Sequence, residues 1–126
     1  MSDSGRCRIL LVEDEPDVQS MMRLILSGIE WDLQILADGQ EAIDAREEEE
    51  FDLILMDLQM RGMDGLSATR LIRSREDENQ HIPIIALTAN ALPQARSDCL
   101  QAGMDEVLIK PLQAQTLRDM IKAYRS

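Results

Sequence analysis

Three acidic side chains, a threonine and a lysine stand at the ends of short apolar runs, and together they could transfer a phosphoryl group. The run Ile9-Leu10-Leu11-Val12 is followed by Glu13 and Asp14, and Leu53-Ile54-Leu55-Met56 by Asp57. Ile84-Ile85-Ala86-Leu87 is followed by Thr88, and Val107-Leu108-Ile109 by Lys110 and Pro111. A carboxylate can itself attack phosphorus as a nucleophile. Two carboxylates about 4 Å apart repel by roughly 4 kcal/mol at an effective dielectric near 20. Three together would be strongly unfavourable or would hold a proton; a hard divalent cation removes the problem, and an all-oxygen site suits Mg²⁺. A lysine ammonium supplies a point charge for one phosphoryl oxygen, and a threonine hydroxyl a hydrogen bond for another. Phosphoryl transfer needs mainly positioning and charge neutralisation, and these side chains supply both. Each residue alone has a plainer reading, as a helix cap or an ordinary surface group. Their coincidence at one rim favours the chemistry.

That rim exists only if the apolar runs are neighbouring strands. Each run is too short for a helix, and continuous apolar runs of this length suit strands buried on both faces. Leu33-Gln34-Ile35-Leu36 adds another run, ending at Ala37-Asp38. Amphipathic stretches separate the runs. Val18, Met21, Met22, Ile25 and Ile29 follow helical spacing behind Pro16. Asp38 with Glu41 fits a capping box for a second helix, and Asp64 can cap a third carrying Leu66, Thr69, Leu71 and Ile72. Ala95, Cys99 and Ala102 mark a fourth, closed by Gly103 as a left-handed cap. Leu117, Met120, Ile121 and Tyr124 mark a fifth. A βα unit repeated five times predicts an α/β fold, a doubly wound parallel sheet of order 2-1-3-4-5. Ligands of such sheets bind beyond the carboxyl ends of the strands.

Length and charge narrow the function further. The 126 residues suit one domain, 1–126, with a core from about 8 to 124. Acidic residues outnumber basic ones 24 to 13, for a net charge of −11, so direct nucleic-acid binding is not expected. No apolar run approaches a membrane span, and the polar start MSDSGRCR has no signal-peptide core, so the expected setting is cytoplasmic. Cys7 and Cys99 have no CxxC or zinc spacing and read as two unbridged thiols. His81 reads as a surface histidine, and the run Glu47-Glu48-Glu49-Glu50 as a solvated helix end.

The stretches LLVEDEP, ILMDLQMRGMDG, PIIALTANA and AGMDEVLIKP resemble the receiver domain of two-component response regulators, most of all receivers attached to hybrid sensor histidine kinases. The resemblance runs from about Ile9 to Tyr124. It implies a flavodoxin-like (βα)5 fold with Asp57 as phospho-acceptor. It implies Mg²⁺ held by Glu13, Asp14, Asp57 and the backbone carbonyl of Gln59. Thr88 matches the switch hydroxyl and Lys110 the site lysine, with a cis bond to Pro111. Gln59 and Asn90 flank the site and would tune the lifetime of the acyl phosphate. The implied partner is a histidine kinase or histidine phosphotransfer domain, and the implied state a monomer or weak dimer. Such a domain is not an enzyme in its own right, though it promotes its own phosphorylation and dephosphorylation.

Two positions depart from the family. Arg61 stands where proline is usual, which implies either a looser loop or a partner contact. Val107 stands where the family has its switch aromatic, and a small side chain cannot swing as a tyrosine does. A haloacid-dehalogenase-like phosphatase would need a second Asp where Gln59 stands. A flavodoxin-like FMN carrier would not place Glu13-Asp14-Glu15 in its phosphate loop. A non-phosphorylated pseudo-receiver serving as a binding module remains the alternative.

Overall fold

In the computed structural model, which describes residues 6–28, 30–77 and 80–124, the apolar runs become five parallel strands in one sheet of order β2-β1-β3-β4-β5. The strands are β1 (Cys7–Val12), β2 (Trp31–Leu36), β3 (Leu53–Asp57), β4 (Ile84–Thr88) and β5 (Glu106–Ile109). The helices are α1 (Pro16–Ile25), α2 (Gly39–Glu48), α3 (Gly65–Ser74), α4 (Pro93–Ala102) and α5 (Ala114–Tyr124). Every residue of β3 and β4 is buried, whereas edge strand β2 is mostly half-buried. This is why the central runs are apolar without alternation, and β2 admits Asp32 and Gln34.

The sheet separates two cores, with successive side chains of a strand facing opposite sides. Leu10, Val12, Ile54, Met56, Ile84, Ala86 and Val107 pack with Ala42 and Ile43 of α2, Ala68 and Ile72 of α3 and Cys99 of α4. Ile9, Leu11, Leu53, Leu55, Ile85, Leu87 and Leu108 pack with Met22 of α1 and Leu117 and Ile121 of α5. Burying each such Leu or Ile stabilises the fold by roughly 1.5–3 kcal/mol.

The helix signals act much as expected, with local differences. Pro16 opens α1, and Gly103 closes α4 at φ 110°, a left-handed cap. Asp64 accepts from Ser67 N–H at 2.8 Å. Asp38 caps through the Gln40 N–H, a plain N-cap, and Glu41 makes neither bond of the expected capping box. On α3 the buried face is Gly65, Ala68, Thr69 and Ile72, while Leu71 is exposed. Ile29, expected on α1, lies outside the described residues. Neither cysteine is in a disulfide, and both are buried. Among the described residues no helix is long and apolar enough to cross a membrane.

The amino ends of the strands are tied by Arg73. Its guanidinium donates to the Gly103 carbonyl at 2.8 Å, to Glu76 at 2.9 Å and to Asp105 Oδ2 at 2.9 Å. Asp105 Oδ1 in turn lies 2.7 Å from His81 Nε2, so His81 is exposed as expected but has an acidic partner. Glu47 and Glu49 of the acidic run pair with Arg75 and Arg8 at 2.9 Å each, so two of the four are more than solvated charges.

Candidate functional site

Parallel register decides which residues meet. Val12 pairs with Met56, so Glu13 and Asp57, one residue further on, come side by side. Asp57 pairs with Leu87 and Thr88 with Ile109, which brings Thr88 and Lys110 to the same rim. Asp57 and Thr88 are the last residues of their strands rather than the first of the loops. Glu13, Asp57 and Thr88 are buried, Asp14 and Lys110 are partly exposed, and Gln59 is exposed.

Glu13, Asp14 and Asp57 can offer one carboxylate oxygen each with all three within 4.8 Å of one another. Lys110 Nζ reaches over them, 3.3 Å from Asp57 Oδ1 and 3.4 Å from Glu13 Oε1. Backbone amides orient the rest. Gln59 N–H donates to Asp57 Oδ1 at 3.3 Å, Glu15 N–H to Glu13 Oε2 at 3.1 Å and Arg61 N–H to Asp14 Oδ2 at 3.0 Å. Asn90 N–H donates to Thr88 Oγ1 at 3.0 Å, which fills an acceptor site and leaves the hydroxyl proton to be donated. The Asn90 side-chain oxygen itself accepts from Leu92 N–H at 3.0 Å, ahead of α4. The Lys110–Pro111 peptide bond is cis.

The electrostatics are those of a crowded acid site. Burial is the main influence pushing the Glu13 carboxyl up to about 7, and the Asp57 carboxylate beside it adds to this. The Glu15 N–H and the Lys110 ammonium act the other way without winning. Burial works against the Lys110 charge, yet Asp57 and Glu13 outweigh it and raise its pKa. A lysine alone therefore leaves the acidic cluster incompletely compensated. The donor set is all oxygen, compact and partly open through Asp14, which fits a hard divalent cation such as Mg²⁺.

Two features of the rim are not evident from spacing. Gly65 lies so close to β3 that a Cβ there would collide with the Asp57 carbonyl oxygen and stand 3.0 Å from Leu58 Cα. The only signal was glycine at a helix start, directly after a cap residue. The other is the bond from Arg61 N–H to Asp14, which ties the β3–α3 loop to the β1–α1 loop where a looser loop was one expectation. Val107, at the aromatic position, is 9% exposed and packed in the core shared with Cys99 and Met104. Beside it Glu106 pairs with Arg96 of α4 at 2.9 Å and meets Tyr124 Oη of α5 at 3.5 Å.

Comparison with known proteins gives a consistent picture. The family model of the response regulator receiver domain matches residues 9–122. The chain is 41% identical over 126 residues to hybrid signal transduction histidine kinase G of Dictyostelium discoideum, covering 98% of this chain and 4% of that protein. It is 38% identical over 116 residues to the sensor protein GacS of Pseudomonas syringae pv. syringae, covering 90% of this chain and 13% of that one. Among solved structures, the receiver domain of a sensor histidine kinase from Pseudomonas aeruginosa PAO1 is 41% identical with a TM-score of 0.85, covering 94% of this chain and 97% of that one. That receiver holds a magnesium ion coordinated in its active-site cleft. The chain thus spans only a small part of the curated kinases it matches.

Proposed function

The chain belongs to the response regulator receiver domain family of two-component and phosphorelay signalling, and from that premise we propose that it accepts a phosphoryl group on Asp57 from a phosphohistidine. The donor is a histidine kinase or histidine phosphotransfer domain. The receiver core runs from about residue 8 to 124. Receiver domains are not enzymes in the ordinary sense; this one promotes its own phosphorylation and the later hydrolysis of its acyl phosphate. The observation that carries the reading is the buried Asp57 carboxylate, 3.3 Å from Lys110 Nζ, with Glu13 and Asp14 oxygens within 4.8 Å.

Glu13, Asp14, Asp57 and the Gln59 carbonyl would hold Mg²⁺, which when bound neutralises the carboxylates and charge on the phosphoryl oxygens. The chain's own groups do the rest. One Asp57 oxygen forms the bond to phosphorus while the phosphorus–nitrogen bond breaks, and its electron pair leaves with the imidazole. The Gln59 N–H and Lys110 ammonium fix the Asp57 carboxylate for in-line approach. Lys110 then pairs with one phosphoryl oxygen, and Thr88 donates its hydroxyl proton to another. These new contacts favour one of two arrangements of the partner-binding surface, a population shift. Buried Val107 supports a weaker readout on the α4–β5–α5 face with phosphotransfer intact.

Intact-protein mass after incubation with acetyl phosphate tests the reading. Wild type should gain one phosphoryl group only with Mg²⁺, and Asp57→Ala none. A wild type that stays unmodified, also with a phosphohistidine donor, would favour the pseudo-receiver binding module.

A further inference from the structure

Four acceptor groups ring the site, and each is held by a backbone N–H. For Glu13, Asp57 and Thr88 the donor lies two residues further along, so the turn directly after the acceptor's own strand orients it. Asp14 differs. Its Oδ2 accepts from Arg61 N–H at 3.0 Å, across 47 residues of sequence, from a loop on another strand. The Arg61 guanidinium has no hydrogen bond or ion pair among the described residues, so the amide is what Arg61 contributes here.

We propose that the backbone N–H of Arg61 is a positioning donor, holding the Asp14 carboxylate in its cation-binding orientation and so making divalent-cation affinity depend on the β3–α3 loop. The proposal rests on the Mg²⁺-dependent reading above. Asp14 is the most exposed of the three clustered carboxylates. Repulsion from Glu13 and Asp57 therefore drives it toward water unless something retains it. A carboxylate accepts about four hydrogen bonds, so one donor on Oδ2 leaves Oδ1 for a cation. A carboxylate free to rotate binds only during the fraction of time it points correctly, and apparent affinity falls by that fraction. Every residue type except proline supplies an N–H at position 61.

The experiment is an NMR titration of wild type, Arg61→Ala and Arg61→Pro with MgCl₂, with folding checked by circular dichroism. Arg61→Ala keeps the amide and should bind at least as tightly as wild type. Arg61→Pro loses both guanidinium and amide and should bind about three- to tenfold more weakly than Arg61→Ala, the fold-change expected for one ordinary solvent-exposed hydrogen bond. Equal or tighter binding by Arg61→Pro would overturn the proposal while leaving the cation site standing. Absence of binding by wild type would remove the cation site and the proposal together. A second measurement decides the matter should the proline variant misfold. Amide exchange at Arg61, without cation, should accelerate at least about fivefold in Asp14→Ala, and an unchanged rate would refute the retaining bond.

Discussion

Replacing Glu13 with glutamine should abolish a pH dependence of stability that the cation-free protein otherwise carries. The Glu13 carboxyl is 0% exposed, and burial beside Asp57 moves it from an ordinary 4.5 to about 7. Between those values the folded state binds more protons than the unfolded one, so stability falls as pH rises. The contribution is fully present below about pH 4.5 and lost as pH climbs through about 7. At roughly 1.4 kcal/mol per pH unit the loss amounts to about 3 kcal/mol, a large part of a small domain's stability. Glutamine cannot ionise, so Glu13→Gln should lack this fall. The assay is urea unfolding in chelating buffer from pH 5 to 8, followed by fluorescence of Trp31, a buried tryptophan on β2. The midpoints of wild type and variant should diverge by about 1–2 M urea at typical slopes for a domain of this size. Adding Mg²⁺ at pH 8 should raise the wild-type midpoint by linkage, because the cation binds only the folded cluster. Parallel profiles for the two proteins across this range would show that Glu13 is not the buried acid described above.

Other perturbations reach different parts of the molecule. Gly65→Ala places a Cβ against the Asp57 carbonyl and should cost about 1–3 kcal/mol by urea unfolding while slowing acetyl-phosphate labelling of Asp57. Arg73→Ala leaves Glu76 and Asp105 without their main cation and should cost about 3–5 kcal/mol in the same assay, with labelling of the remaining folded protein unchanged. Val107→Tyr should enlarge the change in partner affinity on phosphorylation, measured by titration calorimetry. Equal changes in wild type and variant would count against a weakened readout at Val107.

Much of the fold is legible in the sequence because strands and helices advertise themselves by different periods. The five apolar runs, Pro16, Asp64 and Gly103 all act locally, and local signals survive in sequence. The rim could be read because a parallel sheet places strand ends together. What could not be read depends on distance in space without a spacing rule. No pattern links Arg61 to Asp14, since the donor is a backbone amide common to nearly all residues. Nor does any pattern show that His81 would meet Asp105, because the pairing of β4 with β5 is what brings their loops together. Leu71 looks like a core residue by type and spacing, yet α3 rotates so that Ala68, Thr69 and Ile72 face inward. The small Ala68 lets Gly39 of α2 come close, 3.1 Å from a Cβ built on that glycine.

The sheet also acts as a partition between two chemically similar but mechanically separate compartments. Val107 and Leu108 are consecutive, yet one belongs to the compartment of α2, α3 and α4 and the other to that of α1 and α5. Substitutions in different compartments share few neighbours, so their effects on stability should add, whereas touching pairs within one compartment should not. Sequence change can therefore accumulate on the α1–α5 side without disturbing the packing beneath α4, and each side can drift at its own pace while Asp57 stays fixed at the seam.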